Sequence, residues 1–287
     1  MMRRIGVHTS IAGGLHLSLQ RANALRCNTL QIFSHNPRGW AVKSISEGEV
    51  STFKSLRTRL NMTPLYVHAS YLINIASRDR DLQKKSIALL AVEMDRADLL
   101  GAEYVVLHPG SASGEDERIA RKRASEALRE VASMGQWKAG LLLENTAGER
   151  GDISSKVANL SDMMSYVKGS LIAGSCIDTC HAFAAGYDLG NEEGIQNISD
   201  EIEKYMGLDK VKLFHLNDSK ENIGSGVDRH EHVGLGKIGM GGLRLFLNYF
   251  LFKDIPLILE TPRKNETDDY QNLRKVRRMI RTESSRF

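Results

Sequence analysis

The feature that most constrains the fold of this chain is a strand-then-helix rhythm repeated eight times. Short apolar, β-branched runs occupy residues 5–10, 29–34, 65–69, 104–108, 140–144, 173–178, 211–216 and 256–260. Each is the length of a buried strand and too short for a core helix. Helical spacing fills the intervals at 15–25, 50–60, 82–100, 120–134, 157–167, 192–206, 243–252 and 270–280. In 82–100 the apolar positions include Leu82, Ile87, Leu90, Met94 and Ala97, one face of a helix. Eight such units predict an α/β chain folded as one closed (β/α)8 TIM barrel over residues 1–287. The competing open, doubly wound sheet carries a glycine-rich phosphate loop after its first strand. Here that turn reads SIAGG and lacks the full fingerprint. With five prolines and no low-complexity stretch, nothing marks a linker to a second domain.

Ligand-type side chains fall at the ends of these runs. His68 closes LYVHAS, His108 closes YVVLHPG, Glu144 closes LLLENT and Asp178 closes SCIDTC; His215 sits in KLFHLND and Glu260 closes LILET. A lone histidine or carboxylate at a strand end usually reads as a satisfied core or rim residue. Six strands ending this way are different, because the C-terminal ends of parallel barrel strands converge on one rim. Ionisable groups crowded there are costly to bury unpaired, and clustered carboxylates repel one another. Divalent cations relieve both penalties. Mixed imidazole and carboxylate donors suit zinc, manganese or iron better than calcium or magnesium.

Further donors extend the cluster. His181 follows Asp178 by three residues, and Asp228 with His230 forms D-x-H in VDRHEH. On an extended segment that spacing puts both side chains on one face. Nine candidate ligands suit about three metals with a shared carboxylate. His8, ending the first strand, and His232 are expected to orient ligands from behind. His16 and His35 are read as surface residues. Cys176 and Cys180 flank a strand end, but buried cysteine commonly serves as a small apolar residue.

At these residues the chain resembles the endonuclease IV family of apurinic/apyrimidinic endonucleases. The match runs from IGVHTSIAGG to LILETP, and its most specific pieces are HASYLIN, LHPGS, LLLENTAG, CIDTCHAFAAGYDL, HLNDSK and VDRHEHVGLGKIG. The resemblance implies a barrel with three zinc ions. One would be held by His68, His108 and Glu144. A second would be held by Glu144, Asp178, His215 and Glu260, and a third by His181, Asp228 and His230. It also implies DNA-probing loops, with Arg38 in HNPRGW and Tyr71 and Leu72 in HASYLIN entering the duplex at the lesion. An arginine, an aromatic ring and a leucine can replace the stacking lost where a base is missing. The chain departs from relatives at Gly39 and Leu235, where longer polar or charged side chains occur.

The implied reaction is hydrolysis of the phosphodiester 5′ to an abasic site in double-stranded DNA. The ends left would be a 3′-hydroxyl and a 5′-deoxyribose phosphate, with removal of blocking groups from 3′ ends by the same chemistry. Glu144 is the expected catalytic residue. The alternative on a related barrel is a sugar isomerase or epimerase, which needs one or two metals and leaves His68, His108 and the D-x-H pair without a role. A damage-binding protein without catalysis has no use for an open metal site.

Composition agrees with a cytoplasmic enzyme, expected to act as a monomer. The formal charge of +4 permits nucleic-acid binding without demanding it. Its basic runs, at Arg121-Lys122-Arg123 and from Arg274 to Arg286, read as solvated helix faces. Three cysteines are too few for a disulfide framework, no apolar stretch is long enough to span a membrane, and MMRRIGVHTS has no signal-peptide core.

Overall fold

The computed structural model describes residues 3–167, 169 and 171–280. Its strands are β1 (Ile5–Thr9), β2 (Leu30–Phe33), β3 (Leu65–His68), β4 (Tyr104–Leu107), β5 (Gly140–Glu144), β6 (Ile172–Asp178), β7 (Val211–His215), the short hairpin β8 (Asp218–Ser219) and β9 (His230–Glu231), and β10 (Leu257–Leu259). All but β8 and β9 are joined edge to edge in one closed, parallel barrel, in which β10 lies between β7 and β1. The eight predicted strands match it to within two residues. The first two strands approach closely at Gly6, where a side chain would run into the Thr29 carbonyl.

Around the barrel lie α1 (Leu15–Ala24), α2 (Glu47–Leu60), α3 (Arg80–Leu100), α4 (Glu117–Met134), α5 (Val157–Tyr166), a short α6 (Thr179–Ala184), α7 (Glu192–Tyr205), α8 (Gly239–Asn248) and α9 (Asp268–Met279). Several begin two or three residues before the apolar pattern does. Their starts are set by polar caps: Ser46 accepts from the Glu49 amide, Asp79 from Asp81 and Leu82, and Asp116 from Arg118. Helix α8 is displaced, starting at Gly239 and stopping at Asn248 rather than running to 252. The six residues of α6 span less than two helical turns, too few to repeat a pattern, and no helix is predicted there.

Two layers of apolar packing hold the barrel. The outer, between strands and helices, buries Val7, Ile32, Val67, Val105, Leu141 and Ile177 against residues such as Leu19, Leu90 and Leu128. The inner, inside the barrel, holds Tyr66, Val106, Leu142, Cys176, Leu213 and Ile258. At about 1.5–3 kcal/mol for each large apolar side chain taken from water, this inner plug closes the barrel floor. The basic runs also serve the fold. Arg123 donates to the Ala76 carbonyl and pairs with Glu115, Lys275 donates to Val233, and Arg277 to Leu25 and Arg26. Arg281 and Arg286 lie outside the described residues. Among the described residues no helix is long and apolar enough to cross a membrane.

Candidate metal centre

Strand alternation builds the site directly on the inner plug. Side chains two residues apart on a strand face the same way. Tyr66 therefore puts His68 inward, Leu142 puts Glu144, Cys176 puts Asp178, Leu213 puts His215, and Ile258 puts Glu260. Val106 and Gly6 do the same for His108 and His8. Asp178 and His215 are direct neighbours in the ladder between β6 and β7.

Glu144 lies at the centre and is fully buried. Its Oε2 is 2.9 Å from His108 Nε2 and 3.3 Å from His68 Nε2, and its Oε1 is 2.7 Å from His215 Nδ1. Burial alone would raise this carboxyl, but His215 and His108 outweigh it and hold it well below the usual range. Burial likewise opposes the charge on Glu260, yet His215, His8 and His68 hold it low. The histidines answer in the opposite sense. Burial pulls His215 down, and Glu144 and Glu260 overcome it; His181 is raised by Asp178 and Asp228 in the same way. His230, also opposed by burial and held up by Asp178 and Asp228, reaches about 9.

The donors fall into groups whose ligand atoms lie within 4.8 Å of one another. One is His68, His108 and Glu144; another is Glu144, Asp178, His215 and Glu260. A third joins Asp178, His181 and His230. Asp228, partly exposed, faces that group, 3.2 Å from both His181 Nε2 and His230 Nε2. All nine predicted donors thus come together. Cys176 and Cys180 also lie within reach of donors, but burial pushes the Cys176 thiol up to about 12 and raises Cys180 as well. Protonated thiols are poor ligands, whereas the imidazoles and carboxylates are suited to a divalent cation.

Ring orientation supports that fit. His68, His181 and His230 each donate Nδ1–H to a backbone carbonyl, of Ala69, Asn145 and Glu260 respectively, at 2.8–3.0 Å. Each therefore presents an unprotonated Nε2 to the site when neutral. His215 is turned the other way: Nε2–H donates to Gln31 Oε1 at 2.8 Å, leaving Nδ1 toward the carboxylates. His230 Nε2 is buried without a hydrogen-bond partner although carboxylates surround it, as suits an atom aimed at a cation.

The polar residues behind the donors carry no sequence signal of their own. Gln31 of β2 donates to Glu260 at 2.6 Å while accepting from His215, so one amide sets two donors. Asn217 donates to Asp178 at 2.6 Å and accepts from the Glu260 amide. Asn145 brackets Asp178 through both ends of its side chain. His8 reaches Glu260 Oε1 at 3.2 Å. His232 stands apart against Asn272 of α9, and no contact with a donor is found among the described residues. The reading of His35 as a surface residue is corrected: it is buried and bonded to Glu93. Its polar loop suggested exposure, and its partner lies 58 residues away.

The centre opens into a cavity of ≈ 430 Å³ lined by His8, Phe33, His68, Tyr71, His108, His181, Asp228, His230, Glu260, Thr261 and Arg263. Tyr71 is 65% exposed, with its ring 5.1 Å from Phe33, whose ring packs in turn on His8 at 4.4 Å. Arg38 is exposed on the loop after β2, and Leu72 is half-buried beside Tyr71. Leu235 is exposed. Arg263, unremarked in the sequence, brings a cation to the cavity edge, fixed by Asp269 at 2.7 Å and by the His8 carbonyl.

Comparison with known proteins agrees with this architecture. The family model of the xylose isomerase-like TIM barrel matches residues 19–283. A protein of Halothermothrix orenii named "Probable endonuclease 4" is 45% identical over 92% of this chain and 95% of its own length. A namesake from Methanoculleus marisnigri is 41% identical over 96% and 98%. The crystal structure of endonuclease IV from Thermus thermophilus superposes with a TM-score of 0.84 at 38% identity, covering 96% of this chain and 98% of that one. With identity of this level along nearly its whole length, and a barrel that gathers its donors on one rim, the chain belongs to the endonuclease IV family.

Proposed function

We propose that this chain is a DNA-repair endonuclease that hydrolyses the phosphodiester 5′ to abasic sites in double-stranded DNA. It would leave a 3′-hydroxyl and a 5′-deoxyribose phosphate, and would clear blocked 3′ ends by the same chemistry. The observation that carries this reading is the convergence of nine imidazole and carboxylate donors, Glu144 among them, six of which line one open cavity with an exposed tyrosine at its edge.

Three zinc ions are the proposed complement, with manganese or iron able to replace zinc in part of the centre. His68, His108 and Glu144 would hold the first, Glu144, Asp178, His215 and Glu260 the second, and His181, Asp228 and His230 the third. Bound divalent cations supply Lewis-acid polarisation of the phosphate and bring the pKa of water near neutrality.

The chain's own residues do the positioning. Glu144 places a buried carboxylate where it can orient an attacking water. Gln31, Asn145 and Asn217 keep the donors aimed, so little reorganisation is needed during reaction. Arg38, Tyr71 and Leu72 would fill the gap left by a missing base, and the Arg263 guanidinium at the cavity edge would suit a backbone phosphate.

The test is direct. Incubation with a duplex oligonucleotide carrying one abasic site should give a single nick on its 5′ side, while the intact duplex survives. Elemental analysis should find about three transition-metal equivalents. At most one equivalent after reconstitution, with no nick, would favour a sugar isomerase.

A further inference from the structure

Glu93 is a buried carboxylate that the chemistry above leaves unused. It lies inside α3, on the helix side of the barrel, and is 1% exposed. Its Oε1 accepts from His35 Nε2 at 2.8 Å and from the Ser70 amide at 3.1 Å, and its Oε2 accepts from the Ser34 hydroxyl at 2.6 Å. Ser34 and His35 begin the loop that carries Arg38. Ser70 directly precedes Tyr71 and Leu72. One carboxylate therefore fastens both loops proposed to read the lesion.

The two loops are also tied to each other. The Ser70 hydroxyl donates to the Pro37 carbonyl at 2.7 Å and accepts from the Leu72 amide at 3.2 Å. Arg96, one helical turn after Glu93, donates to the Ser34 hydroxyl at 3.0 Å, to the Ser34 carbonyl, and to Lys43 at 2.7 Å. Burying a charge is costly, and an apolar residue would pack α3 against the barrel more cheaply. What the carboxylate adds is direction: three donors from two separate loops must point at one group.

We propose that Glu93 is a positioning residue that sets the spacing of Arg38 from Tyr71 and Leu72, and so determines how well an abasic site is distinguished from intact duplex. This rests on the endonuclease reading above. Loss of the tie lets two rigid contacts drift apart, and a misplacement of ~1 Å at such contacts can cost on the order of 100-fold. The hydrogen bonds of Glu93 go to Ser34, His35 and Ser70, none of them a proposed metal donor.

The experiment compares wild type, Glu93→Ala and Glu93→Gln on abasic and intact duplexes, with metal content measured on the same preparations. Glu93→Ala is expected to raise KM for the abasic duplex by about tenfold or more and to lower abasic-over-intact discrimination by a similar factor, with kcat within about threefold and full metal content. Glu93→Gln keeps an acceptor for His35 and Ser70 and offers Ser34 a donor, so it should restore most of the wild-type KM. Unchanged KM and discrimination in Glu93→Ala would overturn the proposal; so would a fall in kcat accompanied by metal loss, the mark of a purely structural role. Should Glu93→Ala not fold, Ser70→Ala, which removes the hydroxyl joining the loops, should raise KM in the same way, and an unchanged KM there would equally overturn it. A wild-type protein that fails to nick abasic duplex would instead refute the endonuclease reading itself.

Discussion

Replacing Glu144 by glutamine removes a charge from the middle of the centre while keeping the side chain's shape. The carboxylate is fully buried, 2.7 Å from His215 and 2.9 Å from His108. At an effective dielectric of about 20, a carboxylate about 3 Å from a unit positive charge, an imidazolium in the metal-free chain or a bound cation in the loaded one, is worth roughly 6 kcal/mol. Desolvation offsets part of this, and breaking one partner of a buried pair typically costs about 3–5 kcal/mol. If about 4 kcal/mol of that is lost from the transition state, nicking should fall by about 10³-fold. Glu144 also belongs to two of the donor groups proposed to hold separate ions, whereas His108 belongs to one of them. Glu144→Gln should therefore release or loosen up to two metal equivalents, and His108→Ala about one. Affinity for abasic duplex should stay within about threefold, because the probing loops are untouched. Single-turnover nicking, elemental analysis and fluorescence anisotropy on one preparation check all three. Cutting at near the wild-type rate, or no greater metal loss than in His108→Ala, would refute the central role given to Glu144.

Other outcomes follow from the same geometry. His181→Ala should lose the third metal and several kcal/mol of transition-state stabilisation, whereas His232→Ala, which touches Asn272 and no donor among the described residues, should cost at most ~10-fold; kinetics with metal content would expose the reverse order. Tyr71→Ala or Leu72→Ala should weaken selection of abasic over intact duplex, about tenfold, more than it weakens general DNA affinity, and equal losses in competition binding would remove them from lesion reading. Metal-stripped protein should become less stable as pH rises from about 6.5 to 9. His230 is raised to about 9 in the folded chain, so its contribution is complete below the unfolded value near 6.5 and is lost as pH climbs through the folded one. A fall in Tm of ~5 °C or more is expected by thermal scan, with the metal-loaded protein, whose rings ligate as neutral imidazoles, nearly flat; a rise in Tm over that window would reverse the sign of the argument.

The barrel was legible because its strands are continuous apolar runs, and the donors were legible because ionisable groups at the ends of such runs are expensive without a purpose. His68, Glu144, Asp178, His215 and Glu260 all announce themselves in this way. The residues that aim them do not. Gln31, Asn145 and Asn217 are ordinary polar residues in sequence, and their importance comes from partners brought close only by closure of the sheet. His35 failed for the same reason: a histidine in a polar loop looks solvated until α3 delivers Glu93 beneath it. Helix starts were missed where a capping residue opens a polar first turn, as at Asp79 and Asp116. Helix α6 was missed because six residues, under two turns, are too few for an apolar position to recur.

The last barrel strand has a consequence for when this molecule can become hazardous. Glu260 follows β10, which fits between β7 and β1, and its carboxylate is gripped by His8 and Gln31 from the first two strands. A ribosome delivers His68, His108 and Glu144 long before it delivers Glu260. Until then β1 lacks one neighbour, β7 lacks another, and the donor group around Asp178 and His215 is short of a carboxylate. Cutting power would thus arrive with ring closure, so that an unfinished or protease-clipped chain meets the genome without a complete hydrolytic centre.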